Sequence, residues 1–233
     1  MMKWEELRKQ LINSRYYYFH TDNGVLLCGD SSEVMRILPN ESVDLLLTDP
    51  PYPKQFAHLY DILASESPRI LKSGSSLLTI VGHYALPNVI QKFEGKLKYR
   101  WIFCMNQESG KHPRMAMGIE VLWKPILWYV KETFPKGKGF IKDMLKITDS
   151  DGIKKKFHEW QQSKQWAEFF ISKLTSDLNS VILDPFIGSG TTAVVSEELN
   201  RKWIGIEILE SNCKITQNRI LGHSKRQKNL MEY

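Results

Sequence analysis

A chain of 233 residues with 42% hydrophobic and 25% charged residues has ordinary globular usage, which excludes wholesale disorder and fits one α/β domain. Thirty-two Lys and Arg against 26 Asp and Glu give a net charge of +6, too mild to name a partner by itself. Three cysteines without a CxxC exclude a disulfide framework and a Cys-rich zinc site, and no apolar run approaches the roughly 20 residues that span a bilayer.

The first residues, MMKWEELRKQ, lack the features of a signal peptide, so a cytoplasmic, reducing setting with no membrane partner is expected. Trp4, Leu7 and Leu11 stand at three- and four-residue spacing and predict a short amphipathic helix over 3–13. VLLCGD at 25–30 is an apolar run stopped by Gly-Asp and reads as a buried strand. SSEVMRILPN then predicts a helix with Ser at its N-cap and Val34, Ile37 and Leu38 on one face. VDLLLTDPPYP at 43–53 is a second apolar strand, ended by three prolines; 58–72 reads as helix and SLLTIVG at 76–82 as a third strand. Strands follow at 99–106 and 120–131, with QESGKHPRMAMG between them, and 131–157 is rich in Lys and Gly with weak periodicity.

From 158 a helix, EWQQSKQWAEFFISKLTS, leads into the strand VILDPF, the loop IGSG and the helix TTAVVSEELN. The strand WIGIEI at 203–208 precedes a helix over about 210–221 and a basic tail. Continuous apolar strands alternating with amphipathic helices predict a mostly parallel twisted sheet covered on both faces. No internal repeat interrupts the pattern, so 1–233 reads as a single domain.

Two constellations carry chemistry. In DPFIGSGTT, Gly188 and Gly190 tolerate positive φ and let a ligand approach the backbone, and the helix starting near Thr191 aims its amides at that ligand. Glu207 closes the next strand, 23 residues after Asp184, where a carboxylate accepts both hydroxyls of a ribose. The loop is neither GxGxxG nor a P-loop, so a dinucleotide or triphosphate is not the natural guest. The second constellation is DPPY at 49–52, at the carboxyl end of a strand. Asp49 and the carbonyl of Pro50 offer two acceptors, Pro51 stiffens the turn and Tyr52 offers a ring face: a holder for a planar amine such as a nucleobase edge. Taken singly, each motif also fits a bland structure, a tight βα turn or a proline-capped strand.

Together, DPPY before DPFIGSGTT resembles the DNA amino-methyltransferases, which modify adenine N6 or cytosine N4, and the motif order resembles their β class. The likeness extends over GD at 29–30, SVDLLLTDPPY at 42–52, WKPILWYVK at 123–131, HEWQQS at 158–163 and RKWIGIEI at 201–208. It implies a Rossmann-like S-adenosylmethionine-dependent methyltransferase fold in permuted motif order, with 131–157 as a short target-recognition insertion. By the same likeness, Asp184, Phe186, Gly188 and Gly190 wall the methionine part of S-adenosylmethionine. Thr191 and Thr192 lie near its carboxylate, Glu207 holds its ribose and Asp30 accepts from its adenine amine. Asp49, Pro50, Pro51 and Tyr52 hold the target base. Many relatives carry a Lys-Pro pair before the cofactor strand; here HEWQQSKQW stands there, with His158, Gln161 and Gln162 as candidates for that contact.

Positive charge gathers outside these motifs: 91–117 hold six Lys and Arg against two acids, and 134–165 eight against four. Such a rim suits DNA phosphates, with Lys154, Lys155, Lys156, Lys111 and Arg114 as candidate contacts, although a lysine run is also an ordinary solvated loop. DNA is the expected partner; a homodimer and a cognate restriction nuclease are further candidates, and no metal is expected. The resemblance points to a bacterial, archaeal or phage context. Asp49, where cytosine enzymes more often carry Ser, tilts the expectation towards adenine N6. Cytosine N4 and a non-catalytic DNA-binding subunit remain the alternatives.

Overall fold

The computed structural model describes residues 3–51, 54–107, 114–115, 117–133, 140–148 and 163–231. In chain order its elements are α1 (Trp4–Ile12), β1 (Tyr17–His20), β2 (Gly24–Cys28), α2 (Ser31–Ile37), β3 (Val43–Thr48), α3 (Leu59–Ile70), β4 (Leu71–Ile80), α4 (Leu86–Phe93) and β5 (Lys98–Gln107). There follow β6 (Arg114–Met115), β7 (Ile119–Glu120), β8 (Trp123–Val130), β9 (Met144–Ile147), α5 (Lys164–Leu174), β10 (Val181–Asp184), α6 (Thr191–Glu198), β11 (Lys202–Glu207) and α7 (Glu210–Met231).

Nine strands form one sheet in the order β1-β2-β11-β10-β3-β4-β8-β5-β9, and β6 and β7 make a separate hairpin. The five strands from β2 to β4 are mutually parallel, whereas β1 pairs antiparallel with β2, and β8 runs antiparallel between β4 and β5. The apolar runs read from the sequence are these central strands. Their residues alternate between two covered faces, which is why no polar position interrupts them. On one face Val25 and Leu27 of β2 and Leu183 of β10 pack in a single core with Leu7 and Leu11 of α1, Met35 of α2, Leu63 of α3 and Phe93 of α4. On the other, Leu45, Leu78 and Ile182 meet Phe170 and Ile171 of α5, and Leu26 and Trp203 meet α6 and α7. Helices on both faces make the molecule a doubly wound α/β fold, as expected. Among the described residues no helix is long and apolar enough to cross a membrane.

Several boundaries differ from the expectation. The first helix predicted after β2 is capped by Asp30, not by a serine: its carboxylate accepts the Ser32 amide at 2.7 Å. The predicted helix over 58–72 ends at Ile70, because Leu71 is already extended and opens β4. A helix running through Ser163 is also excluded. Ser163 is extended and caps α5 by accepting the Gln165 amide, so the helix starts at Lys164. The sequence does not announce β1, α4, the β6–β7 hairpin or β9. Of these, β9 falls inside the segment expected as the insertion and pairs in parallel with Cys104–Gln107 of β5.

Candidate active site

Strand β10 crosses to β11 on one side, and its other neighbour β3 crosses to β4 on the opposite side. The fold therefore has its switch point between β10 and β3, where open α/β sheets leave a crevice beyond the strands' carboxyl ends. Four adjacent parallel strands deliver a carboxylate there: Asp30 just past β2, Glu207 ending β11, Asp184 ending β10 and Asp49 just past β3. At about 4.8 Å between strands, the row spans on the order of 14 Å, the scale of an elongated ligand.

The turn from β10 to α6 is shaped by two glycines of different kinds. Gly188 has φ +53 and an open side: a Cβ there would meet only the Phe186 carbonyl at 3.9 Å. Gly190 has φ +83, serves as the N-cap of α6, and has no room, since a Cβ would lie 2.6 Å from Thr216 Cγ2. Glu207 ties the turn down. Its Oε2 accepts the Gly188 amide at 3.0 Å and its Oε1 accepts the Leu209 amide at 2.8 Å. Its own carbonyl accepts the Gly29 amide at 2.9 Å, so the Asp30 turn hangs on the same residue. Each carboxylate oxygen has further lone pairs and can accept again.

Asp184 does more for the protein than the sequence suggests. Its side chain accepts from Thr48 Oγ1 at 2.7 Å, Thr192 Oγ1 at 2.7 Å and the Phe186 amide at 3.1 Å. Burial pushes its carboxyl up to about 6 in spite of these donors. This carboxylate therefore links β3, one residue before Asp49, to the first turn of α6. Of the hydroxyls expected near a ligand carboxylate, that of Thr192 is given to Asp184, and that of Thr191 accepts from Arg219 at 3.4 Å. What α6 offers a ligand is thus its first amides, which have no intrahelical partners. Phe186 is half-buried at the turn.

Asp49 is half-buried, Pro50 buried and Pro51 exposed. Beside Asp49 the phenol of Tyr60 is buried and donates to the Ile80 carbonyl at 3.0 Å, and burial together with the Asp49 charge raises its pKa. Tyr52, Lys111, Lys154, Lys155, Lys156, His158, Gln161 and Gln162 lie outside the described residues. Arg114 is exposed on the β6–β7 hairpin, 3.8 Å from Glu120. No motif marks His83, which follows β4 on the same edge and meets Trp123 edge-on at 4.6 Å between centroids. Burial lowers its pKa and favours the neutral ring. The cysteines stand far apart in sequence, yet Cys28 and Cys213 are hydrogen-bonded free thiols, and the Cys213 thiol reaches the Glu207 carbonyl.

A family profile described as DNA methylase, of the N6/N4 type, matches residues 43–218. Type II methyltransferase M.BamHI of Bacillus amyloliquefaciens is 28% identical, over 91% of this chain and 60% of that protein; the chain thus spans about three fifths of that relative. Type II methyltransferase M2.LlaDCHI of Lactococcus lactis subsp. cremoris is 23% identical over 87% of this chain and 91% of its own length. Among solved structures, PvuII DNA methyltransferase (cytosine-N4-specific) shares the fold with a TM-score of 0.74 at 23% identity, covering 90% of this chain and 96% of that one. The M1.HpyAVI–SAM complex does so with a TM-score of 0.68 at 22% identity, covering 84% and 98%.

Proposed function

Because this chain belongs to the DNA methylase family of the N6/N4 type, we propose that it transfers a methyl group from S-adenosylmethionine to the exocyclic N6 of an adenine swung out of DNA. The observation that carries the reading is the position of Asp49, next to β10 at the switch point, with the cofactor-type turn and Glu207 on the other side of it.

The residues present fit S-adenosylmethionine. Glu207 keeps acceptor capacity on both oxygens for a ribose, and Asp30 is exposed at the end of the row for an adenine amine. The open backbone at Gly188 and the first amides of α6, which has no acidic residue in its first turn, suit an amino-acid carboxylate. When bound, the cofactor supplies an electrophilic methyl on a sulfonium. Phe186 would contribute an apolar wall beside it.

The chain's own task is to prepare the nitrogen. An exocyclic amine on a base is a weak nucleophile, because its lone pair is shared with the ring. Asp49 and the Pro50 carbonyl accept its two N–H groups, favour a pyramidal nitrogen and fix the line of attack. The proton passes to an acceptor after the nitrogen has become cationic, so Asp49 can stay ionised throughout. The base must first leave the stack, and Tyr52 offsets part of that cost, since base–aromatic stacking contributes about 1–3 kcal/mol. Basic residues outside the strand motifs would contact the phosphates, with Lys111, Arg114, Lys154, Lys155 and Lys156 as the candidates.

Adenine is preferred over cytosine because the acceptor at position 49 is an aspartate rather than a serine. Plasmid DNA incubated with labelled cofactor and digested to nucleosides tests this by mass spectrometry. N6-methyldeoxyadenosine is expected. N4-methyldeoxycytidine would replace adenine by cytosine, and no labelled nucleoside would favour a DNA-binding subunit without catalysis.

A further inference from the structure

The turn between β10 and α6 is held from behind by α7, a helix to which the proposed chemistry assigns no role. Thr216 is fully buried and donates Oγ1 to the Gly188 carbonyl at 2.9 Å. Its methyl carbon is also the surface that leaves Gly190 no space for a side chain. Arg219, three residues on and so on the same helix face, donates through Nη1 to the Ser189 carbonyl, to Ser189 Oγ at 3.0 Å and to Thr191 Oγ1 at 3.4 Å.

In a trans peptide the carbonyl and the following N–H point in opposite directions. Thr216 draws the Gly188 carbonyl towards α7, so the Ser189 amide is turned away from it. Arg219 does the same to the peptide between Ser189 and Gly190, whose amide closes back on the Ile187 carbonyl at 2.9 Å. Resting on the methyltransferase reading, we infer that Thr216 and Arg219 are positioning residues. They hold the turn in a shape that aims the Ser189 amide away from α7 and towards the cofactor, without touching it.

The test begins with calorimetry of S-adenosylmethionine on the wild-type protein. Thr216→Val keeps the methyl group under Gly190 and removes only the hydroxyl. It should weaken cofactor affinity and raise the cofactor KM by about threefold to tenfold, the weight of one hydrogen bond. The kcat at saturating cofactor and the KM for DNA should stay within about twofold, and Thr216→Ser should restore affinity. Arg219→Lys should give the same split, because a single ammonium cannot serve the fork of acceptors. If Arg219→Lys does not fold, the Thr216 pair decides alone. Wild-type affinity in Thr216→Val, failure of Thr216→Ser to rescue, or an equal loss in kcat and in DNA KM would overturn the inference. A wild-type protein that does not bind the cofactor would instead overturn the functional reading beneath it.

Discussion

At Asp184, burial and hydrogen bonding pull the carboxyl in opposite directions, and burial wins. Its pKa is pushed from 3.8 up to about 6, so the folded chain holds this proton more tightly than the unfolded one. The unfavourable contribution is therefore absent below the unfolded value, grows as pH rises towards about 6 and is complete above it. Two pKa units correspond to at most about 3 kcal/mol. Asp184→Asn removes the titration, so the wild type should gain in Tm relative to this variant as pH falls from about 7.5 to about 5. Parallel melting curves for the two proteins would exclude a raised pKa. Glu207 differs, because although buried it holds the turn through one amide per oxygen and keeps further lone pairs to accept with. Glu207→Gln should weaken S-adenosylmethionine by roughly tenfold to a hundredfold in calorimetry, since a charged acceptor becomes a neutral amide. An unchanged Kd would contradict the ribose assignment.

Among elements, the β10–α6 turn shows how little tolerance the site has. Gly190→Ala would need an L residue at φ +83 and would drive a methyl group into Thr216. The expected cost is at least about 1–2 kcal/mol of stability, read from denaturant unfolding, together with weaker cofactor binding. A fully stable variant would mean that the turn adapts. Much of this element is legible in the sequence: the apolar strand before it, the glycines and the helix after it all announce a backbone that must come close to something. How α7 holds the turn is not legible, because Thr216 and Arg219 sit in a helix whose sequence carries no motif, and their partners are backbone carbonyls and the hydroxyls of Ser189 and Thr191. Asp184 is visible as a motif residue, but its three donors come from β3, α6 and the turn, which only the sheet order brings together. The unannounced strands have the same explanation. In β1, Tyr17–His20 are exposed or half-buried aromatics at a sheet edge and show no alternation, and β9 is four residues long within a lysine-rich stretch. Ser163 reads as interior to a helix because apolar periodicity continues past it, while its hydroxyl caps α5.

For the molecule as a whole, the permuted motif order is a matter of chain connection and leaves the site intact. The DPPY strand comes early and the cofactor turn late, yet the sheet sets β3 against β10 and Thr48 donates directly to Asp184. If the proposed function holds, DNA affinity should fall with salt, because the positive charge lies outside the strand motifs. Replacing Lys154, Lys155 and Lys156 by Ala should lower the slope of log affinity against log salt by up to about 0.9 for each phosphate no longer neutralised. An identical slope would make that run a solvated loop. The proposed function divides the labour across the switch point, with Asp49 serving the target amine and the β10 and β11 ends serving the cofactor. Asp49→Ala, assayed for both methyl transfer and cofactor binding, separates the two sides. Methyl transfer to DNA should fall by about 10²–10³ or more, while the Kd for S-adenosylmethionine stays within about twofold. Transfer at a near wild-type rate would contradict that division and leave Asp49 as no more than the end of a proline-capped strand.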